Sequence, residues 1–167
     1  FIRTESLAVF DFRVRRGEAA DFRAACARVA ELAGVPLPQA DNAEIVAAVQ
    51  AAPVFLDRKA TVDKACALIA EAAAKGARLI VLPEVFVPGY PAWVWYLPLT
   101  RRAEIAMLYR TLVEQSVTVP GPETERLGRA ARESKAWVAI GVDEVNATAS
   151  RTTLYNTLLV FDDEGRL

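Results

Sequence analysis

The order of apolar and polar positions along the chain predicts helices that alternate with short strands. Residues 57–75 repeat apolar side chains at helical spacing, with Asp57 placed to cap the first turn and Gly76 placed to end the helix. The same spacing predicts two further helices, 101–115, with Ile105, Leu108 and Leu112 inward, and 122–135. Residues 87–100 are predicted to form a loop rich in proline and aromatic residues. Apolar runs predict strands at 45–55, 79–82, 137–145 and 153–161. This alternation favours an α/β domain with helices packed on a sheet.

The first 43 residues follow a different pattern. Residues 17–33 predict an amphipathic helix, and the stretch VPLPQADN, 35–42, is typical of a linker. We therefore divide the chain into an unassigned helical segment with its linker, 1–43, and a main domain, 44–167. The last predicted strand is followed by the turn-forming residues 162–165, so we expect it to form a hairpin with whatever follows Leu167. The main domain is accordingly interpreted as an incomplete N-terminal portion.

Composition excludes several classes of site. The chain has no histidine, which excludes Ser-His-Asp and Cys-His catalysis and every histidine-ligated metal within it. Its two cysteines, Cys26 and Cys66, form neither a C-x-x-C motif nor a disulfide framework. Each lies on the apolar face of its predicted helix, so both are interpreted as inert core thiols.

Charge and hydropathy narrow the expected partners. Basic and acidic residues are interspersed, with a net charge of −1, so no basic patch favours nucleic acid. No apolar run approaches the ~18 residues of a membrane span, so no membrane partner is expected. The chain starts without the pattern of a signal peptide and has few cysteines, which favours a cytoplasmic location.

One carboxylate stands in the most apolar part of the chain. Glu84 lies in LIVLPEVFVPGYP, 79–91, almost directly after a predicted buried strand. Sites in layered α/β folds gather beyond the carboxyl ends of strands, and Pro83 helps to end the strand there. With apolar neighbours on both sides, we expect Glu84 to be desolvated and to act as a general base. The alternative is a solvated glutamate or one paired with a nearby lysine or arginine.

The residues around Glu84 carry a family resemblance. LPEVFVPGYPAWVW, 82–95, resembles the first catalytic motif of the nitrilase superfamily, and of its nitrilase branch in particular. Further segments that match in order are 49–84, 118–144 and LYNTLLVFDDEGRL, 154–167, so the resemblance covers 44–167. It implies an α-β-β-α sandwich of the nitrilase type and a Glu-Lys-Cys site that uses no cofactor and no metal. Glu84 would be its general base.

The resemblance also implies a reaction and a set of partners. A cysteine attacks a nitrile, a thioimidate and then a thioester form, and the products are a carboxylic acid and ammonia. The family's lysine and cysteine lie beyond DDEGRL, so neither position exists in this chain. Lys75 and Lys135, at helix ends, are interpreted as surface lysines, and Cys66 as no substitute nucleophile. We expect an active homo-oligomeric parent that acts on a small nitrile or amide, and an inactive 167-residue chain.

Other functions stay open at this point. An amidase, a carbamoyl hydrolase or a cyanide hydratase of the same superfamily would use the same three residues. A non-catalytic truncated fragment is the alternative from a different class. A nucleotide-binding module is disfavoured because no glycine-rich phosphate motif occurs.

Aromatic residues follow Glu84 closely. Tyr90 and Trp93 are candidate substrate-binding residues that could contact an apolar nitrile substituent. Anchoring of the loop or a subunit contact is the equally weighted alternative. For Trp95 we favour that alternative.

Overall fold

The described residues form one mixed sheet, in which residues 8–9 of the N-terminal segment supply an edge strand and the main domain supplies the other four strands. The computed structural model describes residues 8–9, 45–150 and 152–167. The strands are β1 Ala8–Val9, β2 Ile45–Ala48, β3 Ala77–Val81, β4 Trp137–Val145 and β5 Leu154–Phe161. The helices are α1 Arg58–Ala74, α2 Trp93–Tyr96, α3 Arg102–Gln115 and α4 Pro122–Ser134. The predicted helix 17–33, with Cys26, and the linker 35–42 lie outside the described residues.

The strands lie in the sheet in chain order. β2, β3 and β4 are parallel, while β1 and β5 pair antiparallel with β2 and β4 at the two edges. The pairing of β5 with β4 runs over eight positions, from Val138 opposite Phe161 to Val145 opposite Leu154. The sequence predicted β5 as a strand but did not predict this partner, which precedes it in the chain.

Helix α1 forms where the spacing predicted it. Asp57 accepts a hydrogen bond from the backbone amide of Ala60 at 2.9 Å, so it is the expected N-cap. The helix gives way at Gly76, whose φ of 91° few other residues adopt. Its fully buried residues share one face and are Thr61, Val62, Ala65, Ile69 and Ala72. The apolar periodicity therefore predicted the buried side of α1, and Asp57 and Gly76 predicted its two ends.

Helices α1 and α4 pack together on one face of the sheet. Ion pairs join them, with Arg58 Nε 2.9 Å from Glu123 Oε1 and Arg126 bonded to Asp63. The core between helices and sheet contains Ile69, Ile80, Leu127, Ile140 and Phe161, each buried. Where α4 meets the turn after β5, Gly128 and Gly165 are in backbone contact.

The opposite face of the sheet exposes apolar side chains at several positions that no other described residues cover. Side chains alternate along a strand, so residues next to the buried Ile80, Val138 and Ile140 face the other way. Between 36% and 64% of the surface of five such residues is exposed. They are Val46, Val81, Trp137, Leu158 and Val160. We call this side of the sheet the open face.

The segment that joins β3 to α4 departs most from the predicted elements. The predicted loop 87–100 contains the short helix α2, and α3 buries only Leu112, while Ile105 and Leu108 are half-buried. Within the described ranges, no helix combines the length and apolar character needed to cross a bilayer.

Candidate active site

Glu84 lies in a short bulge that leaves the sheet and returns to it. The Pro83 carbonyl accepts a hydrogen bond from Gly141 N at 3.2 Å, as a continuing strand would. The chain then returns at Val87, whose N–H donates to Gly141 O at 3.3 Å and whose carbonyl accepts from Asp143 N at 2.8 Å. The bulge that begins at Glu84 is therefore fastened to β4 on both sides.

A glycine on β4 decides where this bulge lies. A Cβ placed on Gly141 would be 2.7 Å from Glu84 Cα and closer still to Val85 N, nearer than a real Cβ approaches. The bulge thus occupies the space that a side chain at position 141 would fill. Because Ile140 and Val142 point toward the helices, position 141 points toward the open face. Glu84 therefore lies on the open face of the sheet.

The backbone is strained directly after the candidate base. Val85 has a φ of 45°, in the left-handed region that β-branched residues rarely adopt. Such residues cost on the order of 1–3 kcal/mol and cluster at functional sites. Val85 is also buried, so its packing supports the conformation. The strain adds a structural reason to consider this bulge as a site.

The expected desolvation of Glu84 is wrong for the described residues. Val85, Phe86 and Val87 are buried, as their apolar character suggested, but the Glu84 side chain is exposed. The reason is positional: these neighbours enter the core, whereas Glu84 stands on the open face, where no further layer packs. Apolar neighbours in sequence did not imply an apolar environment in space.

Glu84 is nevertheless held by a specific partner. Asn156 of β5 donates a hydrogen bond from Nδ2 to Glu84 Oε1 at 2.5 Å, across 72 positions of sequence. The fold brings the two together because both lie next to β4, Glu84 through the bulge and Asn156 through the β4–β5 pairing. No local sequence pattern singled out Asn156. The available signal was a single amide within the apolar run of LYNTLLVF.

The buried carboxyl of this region is Asp143. It is 6% exposed and lies opposite Asn156 in the sheet register, so both side chains share the open face. Its Oδ2 is buried without a hydrogen-bond partner among the described residues. Burial raises the pKa of Asp143 to about 6. Asp143 was also missed, although a carboxylate inside the apolar strand WVAIGVDEV was a visible signal.

The aromatic residues after Glu84 are in different environments. Tyr90 is 48% exposed, which leaves it free to contact a ligand. Trp93 is 8% exposed and packs edge-on against Phe55, with ring centroids 5.7 Å apart. This is the geometry of a loop anchor, although the indole Nε1 has no partner in the part of the chain described. Trp95 is 75% exposed.

The thiol and lysines of the main domain lie away from Glu84. Cys66 is half-buried on α1, in the helix layer on the opposite side of the sheet, and burial raises the pKa of its thiol. The lysines all lie in α1 or at the C-terminal ends of α1 and α4: Lys59, Lys64, Lys75 and Lys135. Among the residues described, no three acidic or cysteine side chains converge to hold a metal.

The sequence is similar to those of several curated nitrilases. The chain is 46% identical over 99 residues to an arylacetonitrilase of Aspergillus oryzae, which covers 59% of this chain and 28% of that protein. It is 44% identical over 123 residues to an aliphatic nitrilase of Rhodococcus rhodochrous, covering 73% of this chain and 32% of that protein. The chain thus spans about a third of the length of the curated relatives that it matches.

The fold has solved counterparts. The structure of Saccharomyces cerevisiae Nit3, a member of branch 10 of the nitrilase superfamily, superposes with a TM-score of 0.56 at 22% identity. The match covers 73% of this chain and 41% of that one. Residues 45–167 match the carbon-nitrogen hydrolase family, which is nearly the whole of the main domain. The chain therefore belongs to the carbon-nitrogen hydrolase family, the nitrilase superfamily that its sequence resembles.

Proposed function

We propose that this chain contributes the general base of a nitrilase, and that the base is Glu84. The observation that carries the proposal is that the Glu84 carboxylate is held in place by a hydrogen bond from Asn156. Glu84 leaves the end of a parallel strand on a bulge fastened to β4, and Asn156 fixes one of its oxygens. Carboxylates in this position, beyond the carboxyl end of a strand, suit proton transfer at a ligand crevice. Curated relatives above 40% identity carry the name nitrilase, among them proteins of Rhodococcus rhodochrous and Bacillus.

The proposed reaction uses a Glu-Lys-Cys set. Glu84 takes the proton of a cysteine thiol, and the thiolate adds to the nitrile carbon. Glu84 then returns the proton to the nitrile nitrogen, which gives a neutral thioimidate and restores the carboxylate. Water, activated by the same carboxylate, adds to the thioimidate, and ammonia leaves to give a thioester. A second water releases the carboxylic acid and restores the thiol. A lysine stabilises the negative charge that develops in each addition.

The described residues supply one member of this set. Cys66 lies behind the sheet, and the lysines lie in the helix layer. Cys26, outside the described residues, is interpreted from the sequence as a core thiol. We therefore propose that the lysine and the nucleophilic cysteine are supplied by neither the described residues nor Cys26, and that the chain alone does not hydrolyse nitriles. Tyr90 is the proposed substrate contact because it is the exposed aromatic residue closest in sequence to Glu84. Trp93 would support that loop by packing on Phe55.

The experiment measures ammonia release from aliphatic and arylaliphatic nitriles and from the matching amides. It compares the 167-residue chain with a chimera in which Leu167 is joined to the remaining length of the Rhodococcus rhodochrous aliphatic nitrilase. We expect an inactive chain and an active chimera that Glu84→Gln inactivates by at least about a hundredfold. Glu125→Gln, the same change at an exposed position of α4, is the control and should retain activity.

The outcomes separate the alternatives. If the chimera hydrolysed the amides in preference to the nitriles, the proposed activity would change from nitrilase to amidase of the same family. Nitrile hydrolysis by the 167-residue chain alone, retained after Cys66→Ala, would contradict the proposal that the nucleophile lies outside it. Full activity of the Glu84→Gln chimera would overturn the role of Glu84.

A further inference from the structure

We propose that Asn156 is a positioning residue for Glu84, which deepens the proposed function and rests on it. Its amide nitrogen lies 2.5 Å from Glu84 Oε1. An ionised carboxylate only accepts hydrogen bonds, so the group that faces it must be the NH₂ end of the amide. The contact therefore depends on the chemistry of an amide and not merely on its shape.

Asn156 presents this donor from a rigid element. β5 pairs with β4 at every position from Leu154 to Phe161, so the backbone of Asn156 is held on that side throughout. The bulge that carries Glu84 is fastened to the same strand at Pro83 and Val87. The backbones of both residues are thus held by β4. The Glu84 side chain is then the flexible group that the hydrogen bond restrains.

An exposed glutamate would otherwise sample many rotamers. Glu84 has no buried surroundings in the described residues to restrict its side chain. A base must lie within hydrogen-bond reach of the proton that it accepts, and a displacement of about 1 Å can cost about a hundredfold in rate. Asn156 selects one carboxylate orientation and leaves Oε2 as the oxygen available to a reacting group.

Substitutions at position 156 distinguish positioning from packing. Asn156→Asp keeps the shape but replaces the donor with a second carboxylate that repels Glu84. Asn156→Ala removes the donor without adding charge. Positioning predicts that Asp is the more damaging change, whereas a packing role predicts that Ala is. Asn156→Gln keeps the amide and should restore part of what Ala loses.

The first test uses the 167-residue chain and needs no catalysis. The side-chain amide signals of Asn156 are followed by NMR in a ¹⁵N-labelled sample. We expect the bonded proton to resonate downfield, and Glu84→Ala to move it upfield. Glu125→Ala should leave it unchanged. The amide of Asn146, which donates to the Tyr155 hydroxyl at 3.1 Å, serves as an internal reference. An Asn156 signal indifferent to Glu84→Ala would overturn the contact and the proposal with it.

The second test uses the active chimera. We expect Asn156→Ala to lower kcat about ten- to a hundredfold with KM little changed, and Asn156→Asp to lower it further. Asn146→Asp, the same change in the β4–β5 connection, should keep full activity. Equal or greater damage from Ala than from Asp would overturn the positioning role. If the wild-type chimera hydrolyses no nitrile, the proposed function fails, while the NMR experiment still decides the contact.

Discussion

At the scale of single residues, the site depends on a missing side chain. Gly141 is needed because Glu84 and Val85 occupy the space beside its Cα. The backbone of Gly141 does not adopt a left-handed φ, so a residue with a side chain could adopt its conformation. The requirement for glycine is therefore one of close approach, in contrast to Gly76 and Gly165, where a positive φ is needed.

Gly141→Ala should displace the bulge. The new methyl group would lie within 3 Å of Glu84 Cα, so the bulge must move or the strand must bend. We expect a loss of about 1–3 kcal/mol in the free energy of unfolding. We also expect loss of the downfield Asn156 amide signal. Unfolding in urea and the NMR spectrum measure the two effects.

Gly128→Ala is the matched control for that experiment. Its methyl group would meet the Gly165 carbonyl at 2.5 Å, on the helix side of the sheet. It should also destabilise the chain, although the better helix propensity of alanine offsets part of the loss. The Asn156 signal should stay in place. If the Asn156 amide signal moved by a similar amount in both variants, a local role for Gly141 would be contradicted.

Asp143 makes stability depend on pH in an identifiable direction. An unfolded aspartic acid loses its proton near pH 3.8, whereas in the folded chain burial raises the pKa of Asp143 to about 6. Between these values the folded state holds a proton that the unfolded state has released. Stability from this group is therefore present below about pH 4 and is lost as pH rises through 6.

The variant Asp143→Asn should remove this dependence. Between pH 4 and pH 7 the wild-type chain should lose up to about 3 kcal/mol in its free energy of unfolding relative to the variant. Urea unfolding at the two pH values measures the difference. The comparison cancels the contributions of Asp63 and Asp162, whose pKa values are lowered by hydrogen bonds with Arg126 and Arg166. Parallel pH profiles for the two proteins would refute a titrating Asp143.

At the scale of elements, β4 organises the domain. One edge accepts β3, then Val87 and then Val117, while the other edge accepts the whole of β5. The apolar run of β4 predicted a strand with the bounds that the structure has. Its partners were harder to predict, because pairing depends on which segments meet in space and not on local spacing.

The same distinction explains what the sequence could reveal of the site. Glu84 stood out because a carboxylate interrupts an apolar run, and its place at a strand end follows from local pattern alone. The solvent exposure of Glu84 does not follow from local pattern, because it depends on which layer covers the open face. Asn156 was missed for a related reason: its contact spans 72 positions and arises only when β5 pairs with β4.

At the scale of the whole molecule, the two faces of the sheet are unequal. α1 and α4 cover one face, whereas the open face exposes Trp137, Leu158 and Val160. In the α-β-β-α sandwich implied by the family, a second sheet would pack against such a face. A contiguous exposed apolar surface of this kind otherwise favours association.

We expect the 167-residue chain on its own to self-associate through the open face. The double variant Leu158→Thr and Val160→Thr places β-branched threonine at both positions of β5 while removing apolar surface, so it should increase the monomer fraction. Light scattering coupled to size-exclusion chromatography measures the mass. Leu99→Thr, at an 80% exposed loop position, is the control and should change nothing. A monodisperse wild-type monomer with cooperative melting would refute this expectation.

The chain joins β4 at Val87 and again at Val117, and these two attachments affect how the sequence between them can vary in evolution. The bulge returns to β4 at Val87, and the chain next joins β4 at Val117, so residues 88–116 form one excursion closed at both ends. This excursion carries Tyr90 and α3, while Glu84 lies before its first closure. Insertions, deletions and recombined loops in 88–116 can therefore change the surface beside Glu84 without moving Glu84. If Glu84 is the base and Tyr90 the substrate contact, as proposed, substrate preference and proton transfer can evolve separately in one chain.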